Sequence, residues 1–189
     1  MNRLHTGLQR TAWALVRDCR GVSGIEFAII LPILVMLFAA TLDLGQTLTV
    51  KRRLNQVATT SSDVIAQETT WTGTQLDNML AGAAKILEPY DAGSLKIRAM
   101  LVRPDGSGST TTVWTRNYPA NSTMSVANVP IDDKVMEAQV DLITLTVTYE
   151  MSTAFTSLLA SVTGVQSYSL VETSISRPRV SDTVDLTNK

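Results

Sequence analysis

Hydrophobic positions along this chain change their pattern once, near residue 43. Phe27 to Leu42 reads FAIILPILVMLFAATL, sixteen residues without a charge, and the chain after Asp43 is ordinary polar sequence rich in Ser and Thr. A membrane-crossing helix needs about 20 apolar residues, with a range of roughly 17–25. Phe27–Leu42 is slightly short of that, and adding Val22–Ile25 brings Glu26 into the segment. Beyond Leu42, Leu48, Leu54, Val57, Ala58, Ser61, Val64 and Ile65 recur near helical spacing, with charged and amide side chains between them. The pattern predicts one helix over 25–67, about 65 Å long at the usual rise per residue. That is twice the hydrocarbon thickness of about 30 Å, so the outer half must find a partner for its apolar stripe outside lipid.

Shorter elements follow. Thr69–Thr74, with Gly73, reads as a break, and Gln75–Leu87 as a helix carrying Leu76, Met79, Leu80, Ala83, Ala84 and Leu87, stopped by Pro89. Leu95–Arg103 and Thr110–Arg116 read as strands of a hairpin turned at Asp105-Gly106-Ser107-Gly108. Asn117–Pro130 reads as a loop. Ala138–Tyr149, with Val140, Leu142, Leu145, Val147 and Tyr149, is expected to be a central strand. Phe155–Val162 is a candidate short helix ended by Gly164, Val165–Ser176 a last strand, and 181–189 a flexible tail. The expected class is α+β, with about four antiparallel strands and no internal repeat.

Charge narrows the function classes. The chain has 189 residues, 17% of them charged, and a formal net charge of −1, which gives no basic stripe for nucleic acid. Its one cysteine, Cys19, and one histidine, His5, precede the apolar run, so neither an intramolecular disulfide nor a Cys/His zinc site can form downstream. For residues 1–50 three readings compete. A cleaved secretory signal would have Phe38 where a small residue is wanted before Ala39-Ala40. A spanning anchor fits better, and a buried soluble helix is disfavoured by the basic flank. Arg3, Arg10, Arg17 and Arg20 precede the run and Lys51, Arg52 and Arg53 follow it, a four-to-three bias toward a cytoplasmic N-terminus. Glu26 stands out, because a carboxylate at a membrane helix centre costs about 2.5–3.5 kcal/mol, and less near the interface.

Arg20-Gly21-Val22-Ser23-Gly24-Ile25-Glu26-Phe27, followed by Leu31-Pro32, resembles a type IV prepilin cleavage region. With Asp43-Leu44-Gly45 and Ser176–Arg179, it is similar to TadE-like minor pseudopilins of the Flp/Tad tight-adherence system. The resemblance implies a pilin-like fold, a long half-membrane helix on a small sheet. It implies domains of 1–21 (basic leader), 22–68 (long helix), 69–180 (extracytoplasmic α+β domain) and 181–189 (tail). It implies cleavage after Gly21 by a prepilin peptidase, with Val22 as the new N-terminus and Glu26 as the carboxylate that sets subunit register. Pro32, which lacks a backbone donor, would kink the helix. The implied partners are that peptidase, other Tad pseudopilins, inner-membrane assembly proteins and the lipid bilayer. The implied place is the bacterial inner membrane, crossed once, with the leader cytoplasmic and the C-terminal domain periplasmic. An unprocessed anchored periplasmic binding or envelope-assembly protein stays open as the alternative.

Catalysis is not expected. Removing 1–21 takes 4 of 16 basic and 1 of 17 acidic side chains, leaving 12 against 16, a charge of −4 with no Cys or His. That removes Cys-His, Ser-His-Asp and His-rich metal chemistry. Lys85, Lys96 and Lys134 could in principle serve a Ser-Lys pair, but no motif sets one beside a serine. Asp132-Asp133 lacks the ligand spacing of a calcium loop, and no Gly-rich phosphate loop is present. No cofactor or metal is expected.

Overall fold

The structure is a computed structural model that describes residues 22–105, 109–124, 126, 131, 136–137, 139–153, 155–157, 160, 164 and 166–187. It falls into two compact units, Met1–Leu44 and Gly45–Lys189. Helix α1, Val22–Ile65, runs without interruption through 44 residues, including Pro32.

In the first unit α1 is apolar on every side. Ile25, Phe27, Ile29, Leu34, Leu37 and Phe38 are each at least half exposed, so no single face of this stretch is committed to a protein core. The Thr41 hydroxyl donates to the Leu37 carbonyl at 2.8 Å, which satisfies it without water.

In the second unit the same helix becomes one-sided. Val50, Leu54, Val57, Ala58, Ser61, Ser62 and Ile65 are buried at helical spacing. Leu48, expected in this stripe, is half exposed, and Val50 takes its place one turn before Leu54. The helix ends where the Trp71 indole N–H donates to the Ile65 carbonyl at 3.2 Å. The stretch expected to be only a break holds strand β1, Thr70–Thr72. Helix α2, Gly73–Ala84, then starts two residues earlier than the periodicity implied. Thr72 caps it: its hydroxyl accepts from the Gln75 N–H at 3.3 Å, and the Gln75 side chain accepts from the Thr72 N–H at 3.1 Å. Leu76, Leu80, Ala83 and Ala84 of α2 and Leu87 of the following 3₁₀ turn are buried, as expected.

Four strands make the main sheet: β2 (Lys96–Pro104), β3 (Thr110–Tyr118), β4 (Leu142–Met151) and β5 (Tyr168–Ser176). Their order is β3-β2-β4-β5, antiparallel throughout, so β2 and β4 are central. Gly106–Gly108 lie outside the described residues, and the hairpin is closed by the Asp105 N–H donating to the Ser109 carbonyl at 3.0 Å. A bulge at Val113 shifts the β2–β3 register between Leu101 and Val102.

Ile97, Ala99, Leu101, Ile143, Leu145, Val147 and Tyr149 share the inner face and form one core with the α1 stripe, α2 and Trp114. Leu142, counted with Leu145 and Val147 in the sequence pattern, lies on the opposite face across from Val102. It is nevertheless fully buried, as are nearly all of Thr144 and Thr146. Side chains buried on both faces are what a central strand carries, which is why its alternation is irregular in sequence. Phe155–Ser157 are helical, Gly164 has a φ of +70° and donates to the Ala160 carbonyl at 3.0 Å, and the rest of that expected helix lies largely outside the described residues.

The expected flexible tail is a correction. Asp185–Thr187 form strand β6, parallel to β1, with Leu186 opposite Trp71. Val184 is fully buried; its N–H donates to an Asp141 carboxylate oxygen at 3.1 Å and its carbonyl accepts from the Trp114 indole at 3.1 Å. The polar residues that made this segment read as loose thus surround one buried valine. Fully buried Asp141 also accepts two hydrogen bonds from Arg103, at 2.6 and 2.8 Å.

Three outcomes are expected for the full chain in detergent, with unfolding read by tryptophan fluorescence. Leu54→Ala removes a fully buried leucine from the α1 stripe and is expected to destabilise by about 2–5 kcal/mol. Asp141→Asn weakens bonds to both Arg103 and Val184 and is expected to cost about 1.5–3 kcal/mol, whereas Asp77→Asn, in a pair open to solvent, costs about 0–1 kcal/mol.

Candidate functional site

The residues singled out for function lie on α1. Val22 is the first residue of the helix, and Gly21 lies outside the described residues. Glu26 is exposed four residues on, the spacing that puts positions 22 and 26 on one helix face. Pro32 sits inside the same uninterrupted helix. The helix is long and apolar enough to cross a membrane, with a mean hydropathy of 2.5 in its most apolar window, none of which is buried. This fits a membrane anchor. It is the sequence, a carboxylate one turn into an otherwise uncharged apolar surface, that makes Glu26 unusual.

The outer half of α1 is held by polar contacts that periodicity could not reveal. Arg53 donates to the Ile86 carbonyl at 2.9 Å and to the Glu88 carbonyl, with its guanidinium 5.9 Å from the Tyr90 ring centre. The Ser62 and Ser174 hydroxyls are 2.8 Å apart, and the Ser176 hydroxyl donates to the Ser62 carbonyl at 3.1 Å. Arg179 bonds Asp63 at 2.9 Å, and its backbone N–H donates to the Ala66 carbonyl at 2.8 Å. Ser176–Arg179, read in the sequence only as a short likeness, is therefore the segment that closes over the C-terminal end of α1.

Two further ion pairs organise the domain. Arg116 of β3 holds Asp77 of α2 by two bonds of 2.7 and 2.6 Å, and this hydrogen bonding keeps the Asp77 carboxyl below its ordinary range. The same kind of bonding to Asp141 raises the Arg103 guanidinium further above its already high value. Asp77 therefore lends a small stability that is present above the unfolded carboxyl range, near pH 4, and fades as pH falls through its lowered native value.

Of the lysines weighed for a Ser-Lys pair, Lys85 lies in the 3₁₀ turn after α2. The Lys96 ammonium donates to the Thr123 carbonyl at 3.3 Å. Lys134, Asp132 and Asp133 lie outside the described residues, and no group of three or more His, Cys, Asp or Glu could hold a metal among those described. A cavity of about 520 Å³ with a mixed polar and apolar lining lies between Lys96, Thr123, Met124, Thr148, Glu150 and Ser169.

No curated protein and no solved structure matches the chain. Residues 21–63 match the family model of TadE-like proteins, a stretch that begins at Gly21 and runs to within two residues of the end of α1. Over this helix the chain is similar to TadE-like proteins, and the match covers 43 of its 189 residues.

Proposed function

We propose that this protein is a minor pseudopilin, a structural subunit of a Tad-type pilus assembly or secretion system with a mechanical and interactive role rather than a catalytic one. It inserts with its leader in the cytoplasm and its C-terminal domain in the periplasm. A prepilin peptidase cuts after Gly21, and the subunit then works in pilus biogenesis and adhesion with other Tad pseudopilins and inner-membrane assembly proteins. The observation that carries this reading is that the family match starts at Gly21 and covers a helix apolar on all sides before residue 44 and one-sided after it. One helix of that kind serves lipid with one half and a protein core with the other.

Cleavage would leave a cationic amine on Val22, on the same helix face as Glu26. A neighbouring subunit's Val22 amine can neutralise Glu26, which offsets the desolvation of a carboxylate in lipid and fixes the axial offset of two helices. Pro32, whose missing donor loosens the backbone one turn and a half further on, would let the anchor bend as it leaves the bilayer.

The deciding measurement is the N-terminal residue of the protein recovered from membranes, by mass spectrometry, with and without co-expressed prepilin peptidase. A start at Val22 that requires the peptidase is expected. A persistent Met1 would leave an unprocessed anchor, and a start near Thr41 would make the segment a cleaved signal. Glu26→Ala is expected to leave cleavage intact while reducing recovery of the subunit with its partners, read by co-purification from the same membranes.

A further inference from the structure

The sheet has two edges, and they differ from the rest of the domain surface. Among the described residues outside α1, the large apolar side chains left exposed are Tyr168, Val171, Ile175 and Val180, all on β5 or just after it. Strand β5 is nine residues long, with an unbroken register to β4 and no proline, lysine or bulge to discourage pairing. Among the described residues no backbone hydrogen bond reaches its outward side. Strand β3, the opposite edge, is also nine residues long, and its one bulge, at Val113, leaves Trp114–Tyr118 regular.

Each edge strand carries a single charge, and the two are opposite: Glu172 on β5 and Arg116 on β3, whose Nε and one Nη already bond Asp77 and whose other Nη is left for a further acceptor. Through the register both lie on the inner face of the sheet, Arg116 beside Ala99 and Glu172 beside Val147. Glu172 is incompletely partnered. Its Oε1 lies 3.6 Å from the Lys51 ammonium, an ion pair too long for a hydrogen bond, and accepts none from the other described residues.

We infer that β5 is an assembly edge that takes the β3 edge of a second copy of this chain, in antiparallel pairing with Arg116 opposite Glu172. Strand directions alternate across four strands, so β3 and β5 run oppositely, and a copy displaced sideways without being turned presents the correct polarity. The register that sets Arg116 against Glu172 places Thr115 against Thr173 and Asn117 against Val171, using only the regular part of β3. It stops at Trp114 against Ser174, next to the bulge. Opposite charges and β-branched side chains across strands each favour such pairing. The contact is heterologous, so it repeats in an open row.

Pairing of β5 with β5 of another copy is the competing geometry, and the direction of α1 disfavours it. Lys51 lies against Glu172 and Ser62 against Ser174 and Ser176, so α1 advances along β5. A two-fold axis between two β5 strands would set the 45–65 part of α1 antiparallel in the two copies, whereas copies inserted from one side of a bilayer favour a parallel arrangement. This step rests on the anchored reading of the proposed function.

The test uses the full chain in its native membrane, with Cys19→Ser as background. Thr115→Cys and Thr173→Cys are made in separately tagged copies and co-expressed. Within one chain the two positions are about 16 Å apart, three strand spacings across and two residues along, beyond disulfide reach, so a bond reports contact between copies. Under mild oxidation a disulfide-linked pair carrying both tags is expected, roughly tenfold above either variant expressed alone. No mixed pair, or a pair formed by Thr173→Cys alone, would overturn the inference. Alkaline carbonate washing of the same membranes reports the anchor separately. Release of the protein there counts against the proposed function, whereas the disulfide pattern alone decides the edge contact.

Discussion

One helix must satisfy two solvents. Over Val22–Leu44, α1 presents apolar side chains in every direction, which water would penalise and lipid would not. Over Gly45–Ile65 the same helix keeps only the Val50–Ile65 stripe apolar and buries it in the α+β core. The second unit follows from that requirement: a sheet and a second helix are needed because a single amphipathic helix cannot bury its own stripe.

The polar contacts around the outer half of α1 act where burial alone is non-directional. Arg53 ties the helix to the turn after α2, Ser62 ties it to β5, and Arg179 with the Ala66 carbonyl closes its C-terminal end. The chain after β5 then returns through Val184 to pair with β1, using fully buried Asp141 as the acceptor for both Arg103 and the Val184 N–H. A buried carboxylate left without those donors would be strongly destabilising, so the C-terminal segment and the β2–β4 end of the sheet are coupled through one side chain.

Under the proposed assembly role, this division is functional. The anchor supplies a surface that only lipid or another apolar helix can cover, and the domain supplies sheet edges with opposite polarity and opposite charge. The TadE-like match falls within α1 and its first flanking residue, so the likeness takes in both the apolar and the one-sided part of this helix and does not reach the sheet.

What the sequence by itself determined was the long helix, its apolar first half, the second short helix and the strand-rich remainder, because period and hydrophobicity are local properties. The Gly21–Glu26 spacing and the likeness to TadE-like proteins were legible for the same reason. Tertiary structure alone decided the rest. Leu142 belongs to the outer face because the β2 register puts it across from Val102, and residues 185–187 are a strand because Leu186 pairs opposite Trp71 once Val184 is buried and bonded to Asp141 and Trp114. Arg103 and Asp141 are 38 residues apart, Arg116 and Asp77 are 39, and no local pattern announces a pair at that separation. Long-range partners are chosen by the packing of the core, and a polar segment such as 181–187 looks loose until the one buried valine at its centre has somewhere to go.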